Sequence, residues 1–343
     1  MVDLQEIRKF YEDNIYGQWR SGEKVSYTIN KVSKRVNEVD PSNPFAAMFK
    51  LSTDDNGTDV EIHVEDKTFT VRAYLPEKSA EEPVPFLVCM HPIMPKDWVL
   101  NHGCALIFMD TSMIAEDNCL RKGIFYELYP YTDDPKSQTG ELMAWGWGVS
   151  KVLDAVEAGL GDELHLDISR CAVTGVSRWG KATAVCGAFE PRLRLTIPTC
   201  SGAGGLALWD YQSEGKTYDL SKYDLPADYT YSQNEPLSCL QSDGERGWFN
   251  DAFLRYEKYE DIPVNQDMLP VLASGKDRYY CIVAAWTKED WVNAPAMWEC
   301  YERAKKHYRE LGLEDHLFAH FHKEGHAILE EDLEFIKNTV YKL

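Results

Sequence analysis

Six short apolar runs without regular polar alternation recur along this chain, and they constrain its fold more than any other feature. They occupy residues 86–90, 104–109, 171–174, 193–197, 280–286 and 317–321. Continuous apolar runs are typical of strands that are buried on both faces. Segments with helical character separate them, at 141–158, 181–189, 294–311 and 327–341, and helical crossovers make neighbouring strands parallel. The sequence therefore predicts an α/β fold with a mostly parallel central sheet and helices on both faces, a three-layer sandwich.

Two other patterns precede these runs. From 59 to 74, apolar and polar residues alternate on either side of the turn-like Glu65-Asp66-Lys67, which predicts an antiparallel hairpin. Between 4 and 16 the apolar residues have helical spacing and stop before Gly17. This spacing predicts an amphipathic N-terminal helix that packs on the main body.

Domain organisation follows from the absence of internal repeats and low-complexity linkers in the sequence. We expect residues 1–57 to form an N-terminal extension packed on one main domain, 58–343. Within that domain, 206–270 is rich in Tyr, Asp, Gly and Pro and has weak periodicity. Such segments commonly build pockets over a sheet, so this one is predicted to be a pocket-forming excursion.

Charge and cysteine usage limit the partners and the compartment. The formal net charge of −20 repels nucleic acid and anionic membranes, and no stretch reaches the roughly 18 apolar residues of a membrane span. The first residues have no basic segment followed by an apolar run. Nine cysteines without metal-finger spacing are typical of reduced core residues. We expect a cytoplasmic location and no nucleic-acid or membrane partner, while the sequence carries no signal for oligomeric state.

A candidate nucleophile lies where the run 171–174 continues into Gly175-Val-Ser177-Arg178-Trp-Gly180 and a helix of small residues. A serine between strand and helix takes strained backbone angles, and flanking glycines relieve the contacts that side chains would make there. The turn displays the hydroxyl at the carboxyl edge of the sheet, and the backbone N–H of Arg178 points towards an attacked carbonyl oxygen. The alternative is a turn without chemistry, because G-x-S also occurs in ordinary strand-to-helix turns.

The order of the other candidate residues favours catalysis. A nucleophilic serine needs a histidine base held by a carboxylate, and in α/β-hydrolases the chain order is Ser, acid, His. Asp290, with Glu289 beside it, follows the run 280–286, and His326 follows the next run. The sequence therefore predicts an α/β-hydrolase fold with Ser177 as nucleophile, His326 as base and Asp290 as orienting acid.

Other readings of the same residues are weaker. His320 and His322 share one face of a strand and could join His326 at a metal, but no carboxylate or cysteine accompanies them at ligand spacing. Cys200 lacks a glycine-flanked turn and is expected to be a small buried residue. The spacing of the carboxylates does not indicate the catalytic pair of a glycosidase. We expect no metal and no organic cofactor.

Two motifs stand out, Gly175-Val-Ser-Arg-Trp-Gly-Lys181 and Ile197-Pro-Thr-Cys-Ser-Gly-Ala-Gly-Gly205. They resemble the motifs G-C-S-R-x-G-K and I-P-Q-E-S-G-x-G-G of the glucuronoyl esterases of carbohydrate esterase family 15. The resemblance extends through Gly247-Trp248-Phe249 to Lys323-Glu-Gly-His326. It implies Ser177 as nucleophile, His326 as base and Arg178 as oxyanion stabiliser. It also implies that a glucuronoyl ring is contacted by Lys181, Glu245 and Trp291.

Two departures from the family pattern affect the expected chemistry. Cys200 stands where many members carry the triad glutamate, so the acid role is assigned to Asp290. Val176 replaces a cysteine that fungal members use in a disulfide, which fits a reducing compartment. The expected activity is hydrolysis of (4-O-methyl-)glucuronic acid esters through an acyl-enzyme on Ser177. The alternatives are an acetyl or acyl esterase acting on a sugar or small alcohol, and a non-catalytic carbohydrate-binding relative.

Overall fold

One sheet organises the part of the chain that the structure describes. The computed structural model describes residues 3–30, 57–90, 94–212, 235–286 and 290–339. Within these ranges the sheet has nine strands, in the order β1-β2-β3-β5-β4-β6-β7-β8-β9. The strands are β1 (Val25–Asn30), β2 (Thr58–Val64), β3 (Lys67–Tyr74), β4 (Val84–Cys89), β5 (Ala105–Met109), β6 (Leu166–Val176), β7 (Leu195–Thr199), β8 (Tyr279–Ala285) and β9 (Leu317–His322).

Strand direction divides the sheet into two parts. All pairings from β5 across to β9 are parallel, whereas β1, β2 and β3 pair antiparallel with their neighbours. The chain runs from β4 to β5 on one side and from β6 to β9 on the other. Open parallel sheets bind ligands outside the carboxyl ends of strands where the order reverses in this way. These pairings confirm the predicted fold class.

Helices cover the sheet. The described ranges contain α1 (Leu4–Asn14), α2 (Lys96–Asn101), α3 (Thr111–Ile114), α4 (Ile124–Leu128), α5 (Glu141–Ala155), α6 (Gly161–Leu164), α7 (Arg178–Phe189), α8 (Leu237–Leu240), α9 (Met268–Leu272), α10 (Ala294–Glu310) and α11 (Glu330–Thr339). Helices α5, α7, α9 and α10 pack one against the next. Helices α2 and α11 meet elsewhere, where Nζ of Lys337 lies 6.0 Å from the centre of the Trp98 ring.

Burial explains why the parallel strands were visible in the sequence. Strands β4, β5, β7 and β8 bury nearly every side chain, as does the second half of β6. The predicted hairpin is β2 and β3, with Val64 opposite Lys67 across the turn. Strand β1 was not predicted. It lies at the edge of the sheet and alternates between half-buried and exposed residues.

The N-terminal residues pack on the excursion that the sequence predicted at 206–270. The hydroxyl of Tyr11, in α1, donates to the carbonyl of Asn265 (2.7 Å), and that of Tyr16 accepts from Nε2 of Gln266 (2.7 Å). Residues 31–56 of the expected N-terminal extension and 213–234 of the excursion lie outside the described residues.

Two further features bear on the sequence predictions. None of the helices in the described ranges is long and apolar enough to cross a membrane. All nine cysteines fall within those ranges, and most of them are buried.

Candidate active site

Ser177 occupies a strained turn between β6 and α7. Its backbone angles are φ 64° and ψ −126°, a region that L-residues rarely adopt. The turn is held because the Ser177 N–H donates to the carbonyl of Thr199 (3.1 Å). A Cβ at Gly180 would overlap that same carbonyl oxygen, and one at Gly175 would lie 2.7 Å from the carbonyl oxygen of Trp179. Both glycines of the motif are therefore required by the close approach of neighbouring backbone.

The surroundings of Ser177 suit a nucleophile. Ser177 is partly exposed, whereas the end of β6 and the part of α7 from Gly180 onward are buried. It precedes the first turn of a twelve-residue helix, whose N-terminal amides favour negative charge. Cys200, by contrast, is 1% exposed, and its N–H donates to the carbonyl of Val283 (2.8 Å). Only the serine of these two lies open to a substrate.

Arg178 is held by a carboxylate and an indole. Its Nη1 lies 2.5 Å from Oδ2 of Asp117, and the guanidinium carbon lies 5.3 Å from the centre of the Trp248 ring. The Trp248 indole N–H donates to Oδ1 of the same aspartate (2.8 Å). Asp117 therefore joins the cation and the ring into one unit beside the nucleophile.

Lys181 lies one helical turn beyond Ser177 and is 5% exposed. Its ammonium donates to the carbonyls of Ser201 (2.8 Å) and Ala203 (2.6 Å), and Oε2 of Glu235 lies 3.7 Å away. Burial lowers the pKa of this ammonium, whereas Glu235 and Glu245 act to raise it. Two of its three N–H groups thus bind the loop after β7, which leaves the third for the carboxylate of Glu235.

Glu245 faces the same cations. Burial raises the pKa of its carboxyl, and the neighbouring Glu235 adds to this, whereas Lys181 and Arg178 oppose it. Its Oε2 is buried and has no hydrogen-bond partner among the described residues. The structure therefore brings Arg178, Lys181 and Glu245 together around the Trp248 ring, which also lies 5.6 Å from Nζ of Lys181.

Trp291 and His326 meet across two neighbouring loops. Their ring centres are 5.5 Å apart, and Trp291 is 50% exposed. The residue after Trp291, Val292, packs against the loop that Lys181 binds, since a Cβ at Gly202 would lie 3.4 Å from the Val292 carbonyl oxygen. The two rings thus lie at the same edge of the sheet as Lys181.

The predicted acid lies at the start of this loop. Asp290 opens a short 3-10 turn, Asp290–Val292, but its side chain lies outside what the structure describes, as do residues 287–289 with Glu289. Its role as triad acid stays a prediction.

His320 and His322, the two histidines of β9, face the carboxylate of Asp332 from α11. Nδ1 of His320 lies 2.7 Å from Oδ1 of Asp332, and Nε2 of His322 lies 3.6 Å from Oδ2. Among the described residues, no group of three or more His, Cys, Asp or Glu side chains could hold a metal ion.

Comparison with known proteins places the chain in a family. The family model described as "Glucuronyl esterase, fungi" matches residues 59–312. The chain belongs to the glucuronoyl esterase family. It is 40% identical over 338 residues to a multidomain esterase of Ruminococcus flavefaciens, covering 96% of this chain and 41% of that protein. A 4-O-methyl-glucuronoyl methylesterase of Cerrena unicolor is 31% identical over 232 residues, 66% of this chain and 43% of that protein.

A solved glucuronoyl esterase also has this fold over nearly the whole chain. The carbohydrate esterase family 15 enzyme of Caldicellulosiruptor kristjansonii matches with a TM-score of 0.80 and 28% identity, covering 99% of this chain and 85% of that one. The chain spans about two fifths of the length of the two curated relatives.

Sequence reasoning missed several residues that surround Arg178 and Lys181 in this family member. Asp117, Glu141 and Glu235 come from loops or a helix start far from the motifs, and no periodicity marks them. Trp248 lies within a stretch that carried the family resemblance, and that resemblance was the available signal. Each acts through contacts between distant segments, such as the 131-residue separation of Asp117 and Trp248.

Glu141 supports the loop that presents Asp117. It is the first residue of α5, and its Oε1 accepts the N–H of Cys119 (3.0 Å). Its Oε2 is buried and has no hydrogen-bond partner among the described residues. From the same loop, the Arg121 guanidinium donates to the carbonyls of Gly247 and Phe249. These bonds tie the Asp117 loop to the segment that carries Trp248.

Proposed function

We propose that this chain hydrolyses carboxylic esters of glucuronic acid and its 4-O-methyl derivative. The observation that carries the proposal is the strained, partly exposed Ser177 with Arg178, Lys181 and Glu245 clustered directly beside it. The names of the curated relatives, 4-O-methyl-glucuronoyl methylesterases, support this substrate class.

In the proposed reaction, Oγ of Ser177 attacks the ester carbonyl while His326 takes the hydroxyl proton. The carbonyl oxygen becomes an oxyanion, which the backbone N–H and the guanidinium of Arg178 stabilise. The carbon–oxygen bond to the alcohol then breaks, and the alcohol leaves with the proton from His326. Water, deprotonated by His326, then attacks the acyl-enzyme, the bond from the acyl carbon to Oγ of Ser177 breaks, and Oγ takes the proton back from His326 as glucuronate is released. Asp290 is the proposed partner that orients the base and stabilises its cationic form.

The sugar contacts follow from the charges around Trp248. The Glu245 carboxylate accepts and the Lys181 ammonium donates, so together they suit vicinal sugar hydroxyls. The exposed Trp291 ring suits the apolar face of a sugar ring. The burial of most of the cysteines supports the further proposal of a reducing, cytoplasmic location.

One observation favours a second candidate, an acetyl or acyl esterase. Two N–H groups of Lys181 already bind backbone carbonyls, which reduces what this lysine offers to a uronate. An enzyme of that kind would keep the nucleophile and the oxyanion site and would not need the sugar contacts.

The test compares methyl glucuronate, methyl galacturonate and p-nitrophenyl acetate as substrates of the wild type, Ser177→Ala and Ser169→Ala. Ser169 is the matched control because it is exposed near the opposite end of the same strand, β6. We expect kcat/KM to be highest for methyl glucuronate, to vanish in Ser177→Ala and to persist in Ser169→Ala. Preference for p-nitrophenyl acetate would support the second candidate. Failure of wild-type Ser177 to react with a fluorophosphonate would indicate a non-catalytic binding protein.

A further inference from the structure

The loop that carries His326 joins β9 to α11 and is seven residues long, 323–329. A base on a loop needs its position held, because a displacement of about 1 Å can cost roughly a hundredfold in rate. The packing that holds this loop is therefore part of the proposed chemistry.

Both ends of the loop converge on one buried carboxylate. Asp332 is 1% exposed, and its Oδ2 accepts the N–H of Leu329, the residue before α11 (2.8 Å). A carboxylate in the first turn that reaches back to the backbone at the helix start satisfies an otherwise unpaired amide and fixes where the helix begins. Its Oδ1 accepts from Nδ1 of His320, in β9 (2.7 Å).

His322 extends this contact to the first residues of the loop. Its carbonyl accepts the N–H of Trp286, and its Nδ1 accepts the N–H of Glu324 (3.2 Å). Because Nδ1 accepts a hydrogen bond, the ring proton of a neutral His322 lies on Nε2. That atom faces Oδ2 of Asp332 at 3.6 Å. Between the two ends, Gly325 adopts φ 79° and accepts the N–H of Ala327.

We propose that Asp332 is a positioning residue that closes the 323–329 loop and thereby places His326 against Trp291. It touches neither substrate nor the reacting atoms and acts through His320, His322 and Leu329. The proposal rests on the role of His326 as base in the proposed function. Removing the charge weakens the hydrogen bonds from His320 and Leu329 and the electrostatic contact with His322, so the loop loses its common anchor.

The test measures kcat, KM and amide hydrogen exchange for Asp332→Asn beside Asp59→Asn. Asp59 is the matched control because it is also a buried aspartate in an ion pair, 2.6 Å from Arg72, on the antiparallel side of the sheet. We expect Asp332→Asn to lower kcat about 10- to 100-fold with KM within about twofold, and to speed exchange in 323–329. The control should lose stability with kcat unchanged.

A second pair of variants keeps the test decisive if Asp332→Asn does not fold. His320 is partly exposed, and an asparagine there offers an amide N–H near the position of Nδ1. We expect His320→Ala to lower kcat several-fold and His320→Asn to restore most of it.

Three outcomes would overturn the proposal: a kcat for Asp332→Asn that matches the Asp59→Asn control, equal kcat for the two His320 variants, or unchanged exchange in 323–329. If the wild type hydrolysed none of the esters, the proposed function would fail, and hydrogen exchange would still decide whether Asp332 closes the loop.

Discussion

Glu141→Gln should stabilise the folded protein at neutral pH. Glu141 is fully buried, and its Oε2 has no hydrogen-bond partner among the described residues. Burial is the main cause that raises the pKa of this carboxyl, from 4.5 to about 7. Asp117 raises it further, whereas Arg121 and the backbone N–H groups of Cys119 and Asn118 act to lower it. A glutamine keeps the acceptor for Cys119 and has no charge to bury.

The size and sign of the effect follow from linkage. The shift from 4.5 to about 7 corresponds to roughly 3 kcal/mol, at about 1.4 kcal/mol per pH unit. Because the folded pKa is raised, the folded protein binds the proton more tightly than the unfolded chain. The stabilisation by protonated Glu141 is fully present below about 4.5 and is lost as pH rises through about 7. The variant should therefore match the wild type at low pH and exceed it by up to roughly 3 kcal/mol above pH 7.

Urea unfolding of both proteins between about pH 4.5 and 8 measures this difference. Glu190→Gln is the control of opposite sign. Burial acts to raise the pKa of Glu190, but its hydrogen bonds and ion pair with Arg192 outweigh burial and lower it. That variant should be less stable than the wild type at neutral pH, with the deficit shrinking as pH falls. Parallel stability curves for Glu141→Gln and the wild type would refute the reasoning.

Three further predictions concern turnover. Lys181→Ala should reduce kcat/KM for methyl glucuronate much more than for p-nitrophenyl acetate, since the acetate has no sugar hydroxyls. Equal losses would show that Lys181 only holds the loop after β7 and does not contact the sugar. Asp117→Asn keeps an acceptor for the Trp248 indole but removes the carboxylate from Arg178. We expect kcat to fall about tenfold. In the Arg178→Ala background the same change should lower kcat little further. A rise in kcat would mean that Asp117 neutralises the guanidinium rather than orienting it. Asp290→Asn should lower kcat by about two to four orders of magnitude with KM largely kept, and near-normal turnover would transfer the acid role to Glu289.

The parallel half of the sheet was predictable because its strands are buried on both faces and so read as apolar runs. The turn at Ser177 was predictable for a local reason, since its backbone contacts demand Gly175 and Gly180 within a few residues. Strand β1 was missed because an edge strand with one exposed face has only a short alternation, and its place depends on pairing with β2.

The support for the site was harder to foresee. The H-x-H spacing of His320 and His322 correctly indicated a shared face, but their partner Asp332 comes from the next helix and has no spacing rule. Asp117 meets Arg178 across 61 residues, through a loop whose shape depends on a buried carboxyl in α5. Such contacts depend on tertiary packing, which a local pattern in the sequence does not record.

The positive φ of Ser177 also bears on how this protein can evolve. A non-glycine residue in such a conformation costs about 1–3 kcal/mol, and glycine adopts it at little cost. The residue that best relieves the turn is thus the one that removes the hydroxyl. Selection for stability alone would enrich glycine at this position, so serine persists there only while activity is selected as well.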